Sequence, residues 1–299
     1  ALALIKQATL KKVGLKQVGM KQAGKSPTIW VGMPTWPNHL PMLRHQGLAI
    51  ETYDYYDVST QSLQFDAMMT TLQRAVSGDV VLLHGVCHNP TGADLDLEQW
   101  TALTTLIKAR GLVPLFDFAY QGFGSGSAAD AVGVRMMAEQ LPEVLIAASC
   151  SKSFGLYRER TGILLVLCER RQDVAAVTGS LQLLARLNYS NPPDHGAAIV
   201  RTILSDAGLK QCWTDELQQM RERVVAIRRG LTAEGQRQSY DLDFVGHQTG
   251  LFTTFAISEA QTLALAEHHA IHMPETGRIN ISGLSEADLP HFVAALKAV

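Results

Sequence analysis

A chain of 299 residues, 46% hydrophobic and 18% charged, can bury a substantial core and divides most simply into two lobes. Its net charge of −2 gives no general attraction to nucleic acid or anionic membrane, and no apolar run approaches the roughly 20 residues of a membrane-spanning helix. Cys87, Cys150, Cys168 and Cys212 are widely spaced and form no CxxC pair, which argues against a disulfide scaffold or zinc ribbon and favours a reducing cytoplasm.

The first residues carry a loose five-residue repeat, KQATL-KKVGL-KQVGM-KQAGK, with no acidic residue before Glu51. It reads as a basic surface helix followed by a Gly-rich linker, because Gly14, Gly19 and Gly24 oppose one long helix. Thr28 to Val31 is a short strand ending in Met33-Pro34-Thr35-Trp36-Pro37-Asn38-His39, where two prolines impose a non-helical loop. A helix to His45, a strand from Leu48 to Tyr53 and a helix from Leu63 to Ala75 follow. Val80 to Leu83 is the clearest buried strand. Asp96, with Gln99 three residues on, caps a helix whose Trp100, Leu103, Leu106 and Ile107 share one face.

Leu112 to Phe116 forms the next strand and ends on Asp117, Ala128 to Gln140 reads as a helix, and apolar runs at 144–148 and 163–167 flank Lys152. Strands alternating with helices indicate an α/β fold with a mostly parallel central sheet and helices on both faces. In such sheets ligands gather at the carboxyl ends of strands. The segments 84–92, 117–120 and 149–152 would all lie there. Farther on, Trp213, Leu217, Met220, Val224, Ile227 and Leu231 fall at helical spacing. Strands at 251–256 and 278–282, a helix at 260–268 and a final helix capped by Ser285 and Asp288 complete a smaller α+β lobe. The division is a large domain over 1–212 and a small C-terminal domain over 213–299.

Candidate chemistry centres on Lys152 and Asp117. A lysine between two buried strands loses hydration, which favours the neutral amine needed for Schiff-base chemistry; the alternative is a solvated loop lysine. A carboxylate such as Asp117 at a buried strand end needs a cation or several donors. A pyridinium nitrogen would serve, as would the N–H groups of the next turn. Trp36 is suited to stacking on a flat cofactor or to filling core, and Arg160 to gripping a phosphate with its guanidinium fork. His84, Cys87 and His88 lack the carboxylates that would complete a metal set, and no metal is expected. The Ser149-x-x-Lys152 pattern also occurs in penicillin-recognising acyl enzymes, but Glu275-Thr276-Gly277 stands where Lys-Thr-Gly is needed.

Taken together, Trp36-Pro37-Asn38-His39, His88-Asn89-Pro90-Thr91-Gly92, Asp117-Phe118-Ala119-Tyr120-Gln121-Gly122 and Ser149-x-x-Lys152-x-x-Gly155-Leu156-x-x-x-Arg160-x-Gly162 resemble the aspartate and aromatic amino-acid aminotransferases, which are fold-type I pyridoxal-phosphate enzymes. Tyr189-Ser190-Asn191-Pro192-Pro193 and Gly277-Arg278-Ile279-Asn280 match in the same order, so the resemblance runs from about Thr28 to the C-terminus. It implies pyridoxal 5′-phosphate as cofactor and transamination between aspartate or an aromatic amino acid and 2-oxoglutarate.

Lys152 would attach the cofactor and shuttle the proton. Asp117 would pair with the ring nitrogen, with His39 behind it, while Tyr120 and Asn89 would contact the phenolic oxygen. Trp36 would stack on the ring, and Ser149, Ser151 and Arg160 would bind the phosphate. Arg278, assisted by Asn89, would clamp the substrate α-carboxylate. Arg186 would reach the distal carboxylate of substrate in a partner subunit, so a homodimer is implied. The family begins roughly a quarter of its length earlier, with further phosphate-binding groups there. The chain therefore reads as a fragment or truncated relative, and the alternative function is a degenerate domain that binds cofactor weakly without catalysis.

Overall fold

The computed structural model describes residues 1–9 and 26–299. The expected Gly-rich linker and most of the lysine repeat lie outside the described residues.

The strands are β1 (Thr28–Met33), β2 (Ala49–Asp54), β3 (Tyr56–Asp57), β4 (Ser62–Leu63), β5 (Val80–His84), β6 (Val113–Phe118), β7 (Val144–Ser149), β8 (Gly162–Leu167), β9 (Phe252–Thr254) and β10 (Arg278–Asn280). The helices are α1 (Leu2–Thr9), α2 (His39–His45), α3 (Phe65–Leu72), α4 (Leu97–Arg110), α5 (Val132–Gln140), α6 (Val174–Tyr189), α7 (His195–Ser205), α8 (Ala207–Gln238), α9 (Asp243–His247), α10 (Glu259–His269) and α11 (Leu289–Ala298).

The central sheet has the order β2-β1-β5-β6-β7-β8, parallel except for the last pair. Both faces of the central strands are covered, so these are continuous apolar runs rather than alternating ones; the edge strand β8, expected to be buried like the run before Lys152, instead exposes Ile163 and Leu165. Alternate residues sort between two cores. Trp30, Val81, Leu83, Phe116 and Ile146 face one, while Ile29, Val31, Val80, Leu82, Leu115 and Leu145 face the other. The basic segment at the start is not simply a surface helix. Leu4 and Ile5 of α1 are buried in the second core, against Val177, Leu181 and Leu184 of α6. Burial of each contributes about 1.5–3 kcal/mol.

Local signals account for the helix ends. Asp96 Oδ1 accepts from the Gln99 backbone N–H at 2.8 Å, and Gln99 Oε1 accepts from the Asp96 N–H at 3.0 Å, the reciprocal cap expected at the start of α4. That helix stops at Gly111, whose φ of 64° is left-handed. Ser285 and Asp288 make the equivalent box before α11. The long helix α8 runs unbroken through 212/213, the expected domain boundary, and α9 and α11 pack against its C-terminal half. The first core is continuous from Trp30 in the sheet to Phe292 in α11.

Candidate active site

Three parallel strands deliver their loops to one edge. β5 ends at His84 and continues to Asn89, β6 carries Asp117 opposite His84 in the register, and β7 ends at Ser149 before Lys152. Because β8 runs antiparallel, Gly162 pairs with Ser149, and Arg160, two residues before it, returns to the same edge. Arg160 has φ of 51°, a conformation that costs a non-glycine residue on the order of 1 kcal/mol.

The result is a cavity of about 400 Å³. Every residue expected to touch the cofactor lines it: Trp36, His39, Asn89, Asp117, Tyr120, Ser149, Ser151, Lys152 and Arg160. Met42, Leu43 and Tyr157 contribute too, and were not anticipated. Two expected substrate groups stand apart. Arg278 lines a second cavity beside His291 and Phe292, but its Nη1 donates to Asn89 Oδ1 at 3.2 Å and its guanidinium lies 4.8 Å from the Phe252 ring centre. Arg186 is exposed on α6, away from both cavities.

The electrostatics follow from burial and neighbours. His39 Nε2 lies 3.1 Å from Asp117 Oδ2, and Thr35 Oγ1 lies 2.8 Å from His39 Nδ1. Burial alone would raise the Asp117 carboxyl, but the His39 hydrogen bond, the charges of His84 and His39, and Lys152 outweigh it and hold it below its ordinary value. Burial pushes the Lys152 amine down; Asp117 opposes that and Arg160 adds to it. Lys152 Nζ lies 4.5 Å from the Tyr120 ring centre. The Tyr120 phenol is pushed up to about 12 by burial and by Asp117, although Asn89 Nδ2, 3.4 Å from its oxygen, favours the phenolate.

Behind Asp117, His84 is pushed down to about 4, chiefly by burial; Asp117 opposes the shift and His39 adds to it. His84 Nε2 is buried without a hydrogen-bond partner among the described residues. Cys87 does not join the neighbouring histidines, since its Sγ is directed to the Tyr120 carbonyl at 3.9 Å. Thr35 was missed from the sequence. Its one signal is a hydroxyl four residues before His39, and that becomes informative only once the proline loop has turned back.

A half-buried carboxylate braced by imidazole, a partly desolvated amine, a guanidinium, two hydroxyls and an indole make a set of partners for a flat, cationic, phosphorylated ring. The comparisons with known proteins agree. Residues 15–296 match the model for aminotransferase class I and II.

This chain belongs to that family.

It is an aminotransferase, and the family depends on pyridoxal phosphate. It is 49% identical over 261 residues to a tyrosine aminotransferase of Rhizobium meliloti (strain 1021), covering 87% of this chain and 67% of the relative. To an aspartate aminotransferase of Escherichia coli (strain K12) it is 40% identical over 273 residues, 91% of this chain and 69% of the relative. Among solved structures, an aromatic amino-acid aminotransferase from Burkholderia pseudomallei, covalently bound to pyridoxal phosphate, superposes with a TM-score of 0.91 at 35% identity, covering 99% of this chain and 72% of that one. The aminotransferase fold is therefore fold-type I. No helix among the described residues is long and apolar enough to cross a membrane.

Proposed function

We propose that this aminotransferase carries out pyridoxal-phosphate-dependent transamination between an L-amino acid, aspartate or aromatic, and 2-oxoglutarate. The observation that carries the reading is the convergence of Asp117, Lys152 and Arg160 from separate loops on one cavity. When bound, pyridoxal phosphate supplies an electron sink for charge developing at the substrate α-carbon. Asp117 would hold the ring nitrogen, and Tyr120 with Asn89 the phenolic oxygen. Arg160, Ser149 and Ser151 would hold the phosphate, with Trp36 against the ring. Ser149 Oγ and Ser151 Oγ already lie 3.0 Å apart.

Lys152 Nζ would attach the cofactor and take the proton from the substrate α-carbon. A lowered proton affinity suits both tasks, since each needs a neutral amine near pH 7. Arg278 would clamp the α-carboxylate, already oriented by Asn89 and Phe252.

We further infer a homodimer. Arg186 is exposed on α6 beside Leu183, Leu187 and Tyr189, which are 49%, 71% and 56% exposed, an apolar surface of the kind that partner subunits cover. Arg186 would then serve the partner's distal-carboxylate subsite. The two lobes would be 1–212 and 213–299, with α8 as the rigid connection between them.

The deciding experiment is to reconstitute the protein with pyridoxal phosphate, reduce it with borohydride and map the modified peptide. Label on Lys152, with turnover of aspartate or tyrosine against 2-oxoglutarate, supports the reading. Absence of a visible absorbance band and of label sinks it.

A further inference from the structure

We infer that Trp213, far from the cavity in sequence, is a positioning residue for Lys152, acting through Ser153 and Phe154. This rests on the reading of Lys152 as the amine that attaches the cofactor.

Among the described residues Lys152 Nζ has no hydrogen-bond acceptor, so its place over Tyr120 is set by its backbone. The turn that carries it has little of its own to fix it. The Phe154 N–H reaches the Cys150 carbonyl only at 3.3 Å, long for an amide bond, and the Gly155 N–H reaches the Lys152 carbonyl at 3.1 Å, at the upper end of the ordinary range. Gly155 then leaves the turn at φ 66°.

Trp213 grips the two residues directly after Lys152. Its indole N–H donates to the Ser153 carbonyl at 2.7 Å, and its ring stacks on Phe154 with centres 4.4 Å apart and planes within 10°. Four residues on, on the same face of α8, Leu217 fills the space beside Gly122; a Cβ on Gly122 would come within 2.4 Å of it. Gly122 lies two residues after Tyr120. One helix face therefore touches both segments whose spacing sets the distance from Nζ to the phenol ring. Trp213 is only half-buried, so replacing it does not open the core.

Trp213→Phe keeps a ring for stacking and removes the N–H. In cofactor-free full-length protein, hydrogen exchange at the Phe154 and Gly155 amides should quicken about tenfold, the scale of one lost hydrogen bond. In cofactor-loaded protein, the pH midpoint of the visible absorbance should move and kcat should fall several-fold, with KM for the amino acid within about twofold of wild type. Phe154→Leu, which removes the stack and spares the indole, should give the same pattern more weakly. Exchange rates and absorbance midpoint unchanged from wild type in both variants would overturn the inference. A wild-type protein with no visible band would instead remove the reading of Lys152, while the exchange rates still decide whether Trp213 holds the turn.

Discussion

Asp117 and His39 meet at 3.1 Å across the wall of the cavity, and the imidazole is itself fixed by Thr35 at its other nitrogen. The carboxylate is thus held from behind while its side chain remains 24% exposed. A brace of this kind keeps the acid ionised in a site whose burial opposes it. Asp117→Ala should cost several orders of magnitude in kcat, and a loss under tenfold would count against a pairing with the ring nitrogen. His39→Leu leaves the acid but not its brace. Its expected cost is about tenfold, the scale of one charge-assisted hydrogen bond. Steady-state kinetics on both variants check the order Asp117 over His39.

Lys152→Ala should abolish turnover, because attachment point and proton acceptor go together. Substantial turnover in that variant, measured in a coupled assay with 2-oxoglutarate, would refute the assignment. In wild type the amine's proton affinity is lowered by burial. The activity that depends on neutral Lys152 should therefore reach its plateau below the ordinary lysine pKa near 10.4, and rise with pH up to that plateau.

Much of this architecture was legible because its determinants are local. The runs Val80 to Leu83 and Val144 to Ala148 became strands, the first buried throughout and the second through Ile146, and the caps at Asp96 and Ser285 start helices where their sequences say. Helix α6 carried no such signal. In α6, Leu183 and Leu187 are exposed although Val177, Leu181 and Leu184 pack inward, so apolar residues fall on several faces and no single stripe marks the helix. The residues expected to contact the cofactor were legible through resemblance, and the strand-end rule explains why they line one cavity. Thr35, Tyr157 and Trp213 were not: Thr35 meets His39 only once the proline loop has turned back, Trp213 meets Ser153 across 60 residues, and Tyr157 reaches the cavity only through the turn that follows Lys152. Arg186 was singled out by motif alone and lies exposed on α6.

The two candidate carboxylate-binding arginines should separate by substrate. Arg278 touches Asn89 at the cavity wall, so Arg278→Ala should raise KM for aspartate and tyrosine alike, by about 10- to 100-fold for a lost guanidinium–carboxylate pair. Arg186→Ala should hurt aspartate and glutamate far more than phenylalanine or tyrosine. Equal losses on both classes would show that Arg186 does not bind the distal carboxylate.

A final prediction concerns stability rather than chemistry. Glu143 precedes β7, is 6% exposed and has no hydrogen-bond donor among the described residues. Burial, and then the carboxylates of Glu169 and Asp173, push it up to about 8 from its ordinary 4.5. The folded protein therefore keeps a proton that the unfolded chain releases above pH 4.5. Between those two values the folded state binds more protons, so stability falls as pH rises. Glu143→Gln removes the titration and should leave stability near pH 4.5 almost unchanged. By pH 8 the variant should be the more stable by on the order of 2 kcal/mol, allowing for partial access of solvent, or about 3 °C in melting temperature. Thermal melts of both proteins at the two pH values test this. A difference that is the same at pH 4.5 and pH 8 would mean that Glu143 is ionised in the folded state, with the nearby acids held apart by contacts such as the Arg170 pairing of Asp173 at 2.8 Å.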